Sequence, residues 1–175
     1  MIIALAGRRV DPPDARVARF PLANVNVLAA RIRELLRSEA AQGLVSSAAC
    51  GADLIAQTEA GRMGLRRRVV LPFTPERFLQ TSVIDRPGDW AEPFHEVMRS
   101  AEVVNLAKDG DDSQAYAEVN RRILDEAETL ARELDASATA VLVWDGSPRG
   151  KDDLTAAFRD EAQKRGLRVL EVKTM

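Results

Sequence analysis

The chain has 175 residues, 30% of them charged, and a formal net charge of −2, a balance without the basic excess of a polyanion-binding face or a polybasic membrane patch. Its one cysteine, Cys50, excludes an intrachain disulfide, and no apolar run reaches the roughly 18 residues of a membrane span. The length suits one domain with one substantial core, the first apolar run stops at Ala6 instead of continuing as a secretion leader, and the expected location is the cytoplasm.

The first predicted strand, residues 2–6, runs through Ile2-Ile3-Ala4-Leu5-Ala6 into Gly7-Arg8-Arg9. An arginine at a strand end can clamp a phosphate as a bidentate donor, so Arg8 is the leading candidate and Arg9 the second. Residues 10–21 carry Pro12, Pro13 and Pro21 and read as a loop. From Leu22 to Leu36, apolar residues at Val25, Leu28, Ile32, Leu35 and Leu36 mark an amphipathic helix.

A second strand, residues 44–48, passes through Ser46-Ser47-Ala48-Ala49-Cys50-Gly51 into a helix opening at Ala52-Asp53. The first turn of a helix has N–H groups without intrahelical partners and a partial positive charge, so this junction is expected to hold an anion. Asp53 in that turn is expected to favour the dipole, with a ligand contact as its second role. Cys50 at the helix start is expected to have a lowered thiol pKa. Ala52, Ala56, Ala60 and Gly64 recur every fourth residue and predict a flat packing face, while Glu59 reads as a solvated helix glutamate.

Arg66-Arg67-Arg68 reads as a solvated turn before the third strand, residues 68–72. Residues 72–89 hold Pro72, Pro75, Pro87 and Gly88 and read as a second long loop, either a wall or lid of the cleft or a surface excursion packed by its own aromatics. Within it Phe73, Arg77 and Phe78 combine aromatic faces with a guanidinium, which suits a purine and its phosphate. Trp90, Phe94, Val97, Met98 and Ala101 mark a helix, with His95 off its apolar stripe and without a second ligand for a metal.

After a fourth strand, residues 102–106, Asp109-Gly110-Asp111-Asp112 reads as a solvated loop and helix start. A long helix follows along Tyr116, Val119, Ile123, Ala127, Leu130 and Leu134. The strand at 139–144 ends in Trp144, which either stacks on a base or anchors the core, and meets a third junction at Asp145-Gly146-Ser147. A helix through Leu154, Ala157, Phe158 and Ala162 leads to a last strand at 167–172. Strands alternating with helices predict an α/β fold of Rossmann-like, three-layer form, with a mainly parallel, doubly wound sheet and a cleft at the C-terminal strand ends.

Gly7-Arg8-Arg9, Ser46 to Ala56, Leu71-Pro72-Phe73 and Trp144-Asp145-Gly146, in this order, resemble the SLOG superfamily of Rossmann-like domains, which includes the DNA-processing protein Smf and the Lonely-guy proteins. The resembling branch has a G-x-R start, an S-G-G-A-x-G-A-D-x-x-A phosphate loop, an L-P-F strand end and a W-D-G turn. The resemblance implies binding of a nucleotide or a nucleotide-derived ligand such as an ADP-ribose-like or cyclic signal, at the pieces above and at Gly150 and Thr155. It also implies a homodimer and an effector or signalling partner.

Two departures bear on that implication. Ser47-Ala48-Ala49-Cys50 stands where glycines are typical, and Asp152-Asp153 replaces glycines after Gly150. Lonely-guy relatives hydrolyse nucleoside monophosphates with a P-G-G-x-G-T-x-x-E motif, which this chain lacks. A non-catalytic ligand sensor is therefore the first expectation, without cofactor, metal or catalytic residue. Phosphoribohydrolase activity is the second, and binding of single-stranded nucleic acid ranks last because of the acidic balance.

Overall fold

The computed structural model describes residues 1–108 and 112–175. Asp109, Gly110 and Asp111 of the acidic cluster lie outside the described residues. Six strands, β1 (Ile2–Gly7), β2 (Gly43–Ser46), β3 (Arg66–Leu71), β4 (Glu102–Asn105), β5 (Ala138–Trp144) and β6 (Arg168–Lys173), form one parallel sheet in the order β4-β3-β2-β1-β5-β6. Parallel neighbours need crossovers, and helices supply them: α1 (Val25–Ser38), α2 (Ala52–Arg62), α4 (Ala91–Ser100), α5 (Asp112–Glu133) and α6 (Leu154–Lys164). The expected Rossmann-like α/β class is the observed one.

The period-2 alternation of β1 sorts the core into two layers. Ile3 and Leu5 face Leu28, Ile32 and Leu36 of α1, Leu54 of α2 and Phe94 of α4, while Ile2, Ala4 and Ala6 face Val119 and Ile123 of α5 and Phe158 of α6. Each fully buried large apolar side chain contributes roughly 1.5–3 kcal/mol. Ala52, Ala56 and Ala60 of α2 are wholly buried, so the predicted flat face does pack inward.

Three local readings change. The stretch 72–89 contains a short helix, α3 (Pro75–Phe78), widening into a π turn at Leu79–Val83. Thr74 caps it by accepting from the Arg77 N–H, and Pro75 sits at the first helical position, where its missing donor costs nothing. Arg66-Arg67-Arg68 is part of β3 rather than a solvated turn. The Arg68 side chain is buried among Glu102, Glu126 and Glu133, because its strand lies under α5. Glu59 is buried too, paired with Arg33 and Arg62 at 2.7 and 2.6 Å. His95 is exposed, as its place off the stripe predicts.

The chain winds outward from β1 to β4 and then returns beside β1 as β5. Loops leaving β1 and β5 therefore diverge at a topological switch point, where doubly wound sheets open a crevice.

Candidate functional site

Gly7 ends β1 opposite Val143 of β5, and a Cβ there would stand 2.8 Å from that of Val143. The next residue, Arg8, is 2% exposed. Its Nε donates to Asp145 Oδ1 at 3.1 Å, its Nη2 donates to the Ser147 carbonyl at 2.6 Å, and its Nη1 lies 2.7 Å from Asp153 Oδ2. Arg19, from the 10–21 loop, donates to the other Asp145 oxygen at 2.6 Å, and the Ser147 hydroxyl donates to the same oxygen at 2.8 Å. Burial disfavours the Asp145 carboxylate, but the Ser147 and Arg8 hydrogen bonds outweigh it and hold the group below its ordinary range. Arg8 thus ties down the chain's own β5–α6 turn, its guanidinium facing two carboxylates and a carbonyl where a phosphate was expected. Trp144, 2% exposed, belongs to the core rather than to a base-stacking face.

The helix starts are also occupied from within. Gly51 precedes α2 with φ +97°, and a Cβ there would lie 2.8 Å from both Arg8 O and Val10 N. The Ala52 N–H donates to Arg8 O at 3.0 Å and the Cys50 N–H to Ser82 O at 3.0 Å. Ser46, Cys50, Gly51 and Ala52 are all buried, with the Ser46 hydroxyl donating to Ser47 O and accepting from Gln57. The backbone leaving β1 thus covers Gly51 and takes the Ala52 N–H, while Ser47, Ala49 and Asp53 of the same junction line the cleft described next. Burial also pushes the Cys50 thiol pKa up, overturning the lowered value expected from the helix start, although Arg9 pulls the other way. At α6, Asp153 is the N-cap, accepting from the N–H groups of Thr155 and Ala156 with one oxygen and from that of Arg149 with the other. Burial opposes its charge, yet these backbone donors and Arg8 keep its pKa low.

A cleft of about 340 Å³ opens beside this cluster, within the size range of small-molecule sites. Its floor is β1 through Gly7 with Ser47, Ala49 and Asp53, and its walls come from Phe78 to Arg86, the first turns of α5, and Arg149 to Thr155. Three of the lining residues carry a buried polar atom without a hydrogen-bond partner among the described residues: Arg9 Nε, Ser47 Oγ and Asp53 Oδ1. Asp53 is 8% exposed, and burial pushes its carboxyl up to about 7 against the Ala49 N–H and the charge of Arg9. Tyr116 bridges two walls, its hydroxyl 2.5 Å from that of Ser82, and Asn120 donates to the Leu154 carbonyl at 2.8 Å.

Of the residues expected at the site, Gly7, Arg9, Ser47, Asp53, Phe78 and Thr155 meet in this cleft. Pro72 and Phe73 are buried beneath it, with Arg77 stacked 3.8 Å from the Phe73 ring centroid, so that trio forms no open purine platform. Asp145 lies in the Arg8 cluster, while Gly146, Ser147 and Gly150 lie on the exposed turn. The sequence reading missed Arg19, Thr81, Ser82, Arg86, Tyr116 and Asn120. Thr81, Ser82 and Arg86, within the 72–89 stretch already placed beside the cleft, carried a signal. Among the described residues no group of three or more His, Cys, Asp or Glu side chains is placed to hold a metal, and no helix is long and apolar enough to cross a membrane.

No family model matches the chain, and no curated protein matches it. Solved structures of DNA processing protein A are among those similar to the chain. The X-ray structure of DNA processing protein A from Streptococcus pneumoniae aligns with a TM-score of 0.48 and 13% identity over 96% of this chain and 57% of that one. The DNA processing protein A of Helicobacter pylori, described for its single-stranded DNA binding mode, aligns with a TM-score of 0.45 and 14% identity over 97% of this chain and 74% of that one. This chain therefore spans little more than half of the pneumococcal protein. The Helicobacter protein is described for binding single-stranded DNA, which conflicts with the expectation that nucleic acid is an unlikely partner, and that expectation is withdrawn. It rested on net charge, a whole-chain average blind to the arginines around the cleft.

Proposed function

We propose that this chain binds a nucleotide or nucleotide-derived ligand in the cleft at the C-terminal ends of its strands, as a ligand-binding domain of the kind the SLOG resemblance implies. The observation that carries the reading is the trio of unpartnered polar atoms, a donor on Arg9, a hydroxyl on Ser47 and an acceptor on Asp53, lining one cavity of small-molecule size. A buried polar atom without a partner costs about 1–3 kcal/mol, and a polar ligand that pairs with it recovers that cost. A nucleoside offers hydroxyls and amino groups to Asp53, and a phosphate offers acceptors to Arg9.

One observation favours a second reading, hydrolysis of an N-glycosidic bond: a carboxyl held at about 7 suits proton transfer near neutral pH. A thermal-shift screen of the purified chain with nucleosides, mononucleotides, cyclic nucleotides, ADP-ribose, NAD and a single-stranded oligonucleotide separates the readings. A ligand at a hundred times its Kd adds about 2.7 kcal/mol. A shift from a nucleotide, reduced by Asp53→Asn and with the ligand recovered unchanged, supports the sensor. Recovery of free base and ribose phosphate moves the case to the hydrolase. A shift from the oligonucleotide alone, or from nothing, overturns both.

A further inference from the structure

The acidic side chains around the cleft differ in what holds them. Asp145 and Asp153 face Arg8, and Asp85 pairs with Arg9 and Arg86. Asp53, on the cleft floor, has no ion pair among the described residues. It stands in the first turn of α2, 8% exposed, and its Oδ1 is buried without a hydrogen-bond partner. Folding has thus built a carboxyl into the cavity wall with one oxygen left to a ligand.

The charged and titratable groups that surround it are otherwise engaged. Arg9, from the loop after β1, and Arg86, from the 72–89 stretch, pair with Asp85, while Arg149, from the β5–α6 turn, lies 3.8 Å from Asp153. The Tyr116 hydroxyl of α5 meets that of Ser82, and burial raises the pKa of the Cys50 thiol on Asp53's own junction. Farther along α2, Glu59 is held by Arg33 of α1 and by Arg62, and on α4 Glu92 and Glu96 pair with Arg99. The chain's one histidine, His95, is exposed on α4 and lines no part of the cleft.

The two forms of Asp53 offer a ligand different partners. The neutral carboxyl has an O–H donor and only part of its acceptor capacity, whereas the carboxylate has acceptors alone. A ligand hydroxyl or amino group bonds more strongly to the carboxylate, because hydrogen bonds to an ionised acceptor are roughly twice as strong as neutral ones. Without such a donor, burial keeps the proton on up to about pH 7, against the Ala49 N–H and the charge of Arg9. A ligand donor would oppose burial here as the backbone N–H groups do at Asp153, which they help to hold ionised.

We infer that a donor ligand and a proton compete for Asp53, so that acidification discharges the cleft and binding near neutral pH releases a proton. This rests on the nucleotide-binding reading above and adds its regulation. Calorimetric titration of the full chain tests it, with the common ribonucleosides, their 3′,5′-cyclic monophosphates, ADP-ribose and NAD as probes. None of them carries a phosphate monoester, whose own second ionisation at about 6 would mask the effect.

At least one probe is expected to bind about fivefold or more tightly at pH 8 than at pH 6, and to release roughly half a proton at pH 6.5, read by comparing buffers of unequal ionisation enthalpy. Asp53→Asn, checked for folding by circular dichroism, should weaken that ligand at pH 8 and bind it equally at both pH values, with no proton released. An Asp53 that only shapes the floor predicts the weakening but no proton release from the parent. Parent affinity that is level with pH, proton uptake instead of release, or a pH slope that survives in Asp53→Asn overturns the inference and leaves the nucleotide reading intact. The proton count on the parent decides the matter even where the variant fails to fold. No binding by any probe overturns the nucleotide reading and the inference together.

Discussion

Arg8 and Asp153 stand 2.7 Å apart with side chains 1% and 0% exposed, joining the end of β1 to the cap of α6 across most of the chain. Removing the arginine takes the buried guanidinium from both Asp145 and Asp153, leaving them to Arg19, Ser147 and the backbone donors of the turn. Breaking such a pair costs about 3–5 kcal/mol, far more than an exposed pair contributes. Arg8→Ala is expected to lower the urea midpoint sharply, whereas Arg99→Ala, which removes exposed pairs with Glu92 and Glu96, should leave it unchanged. Equal midpoints for the two variants would show that the Arg8 cluster is not holding the turn.

Gly51 and Gly64 make a controlled comparison. Both have positive φ, +97° and +69°, but a Cβ at Gly51 meets backbone at 2.8 Å while one at Gly64 meets nothing within 4 Å. Gly64→Ala should cost only the left-handed backbone strain, roughly 1–2 kcal/mol. Gly51→Ala should cost clearly more, since Arg8 and Val10 must shift with it. Chemical denaturation of the two variants side by side measures the difference.

Asp53 predicts a pH dependence opposite to that of ordinary salt-bridged carboxylates. Unfolded, it ionises near 3.8, whereas folded it keeps its proton up to about 7. In that interval the folded state binds more protons than the unfolded state, so stability falls as pH rises from about 4 to about 7. The free-energy change across the interval is on the order of a few kcal/mol, because a tenfold change in proton affinity corresponds to about 1.36 kcal/mol. Asp145 and Asp153, with lowered pKa values, act at the other end: their stabilisation is present above the unfolded value and lost as pH falls through the folded one. Urea midpoints at pH 5, 6, 7 and 8 should therefore decline for the parent and stay nearly level for Asp53→Asn, which should be the more stable protein at pH 8. A level parent curve would remove Asp53 as a buried titrating group.

Cys50 is fully buried and its thiol pKa is raised by that burial. Reaction with a thiol reagent at mildly alkaline pH should be slow in the folded protein and fast in concentrated guanidinium, because the thiolate is the nucleophile. Rapid labelling of the folded protein would contradict the closed α2 start.

Much of the fold was legible because its signals are local. Short apolar runs bounded by glycine, proline and charge marked all six strands, and stripes such as Val119, Ile123 and Leu130 marked the helices between them. The α3 helix escaped because Thr74-Pro75-Glu76 signals a helix start with only four residues to follow, and the surrounding prolines dominate that window. At the site, Gly7, Arg9, Ser47, Asp53, Phe78 and Thr155 were legible as residues at strand ends and helix starts. Tyr116 and Asn120 were not, because they sit inside a helix whose pattern reads only as packing.

The chain's local pattern by itself determined the α/β class, the parallel sheet and the strand ends at which a cleft must open, since hydrophobic periodicity and turn chemistry act over a few residues. Only the tertiary structure decided which polar groups that cleft keeps. Arg8 meets Asp145 from 137 positions away, and the backbone after β1 covers Gly51 at the start of α2. Whether an arginine or a helix start is free for a ligand is a matter of pairing across the sheet, and pairing energy depends on distance in space and on burial, neither of which is written in sequence spacing.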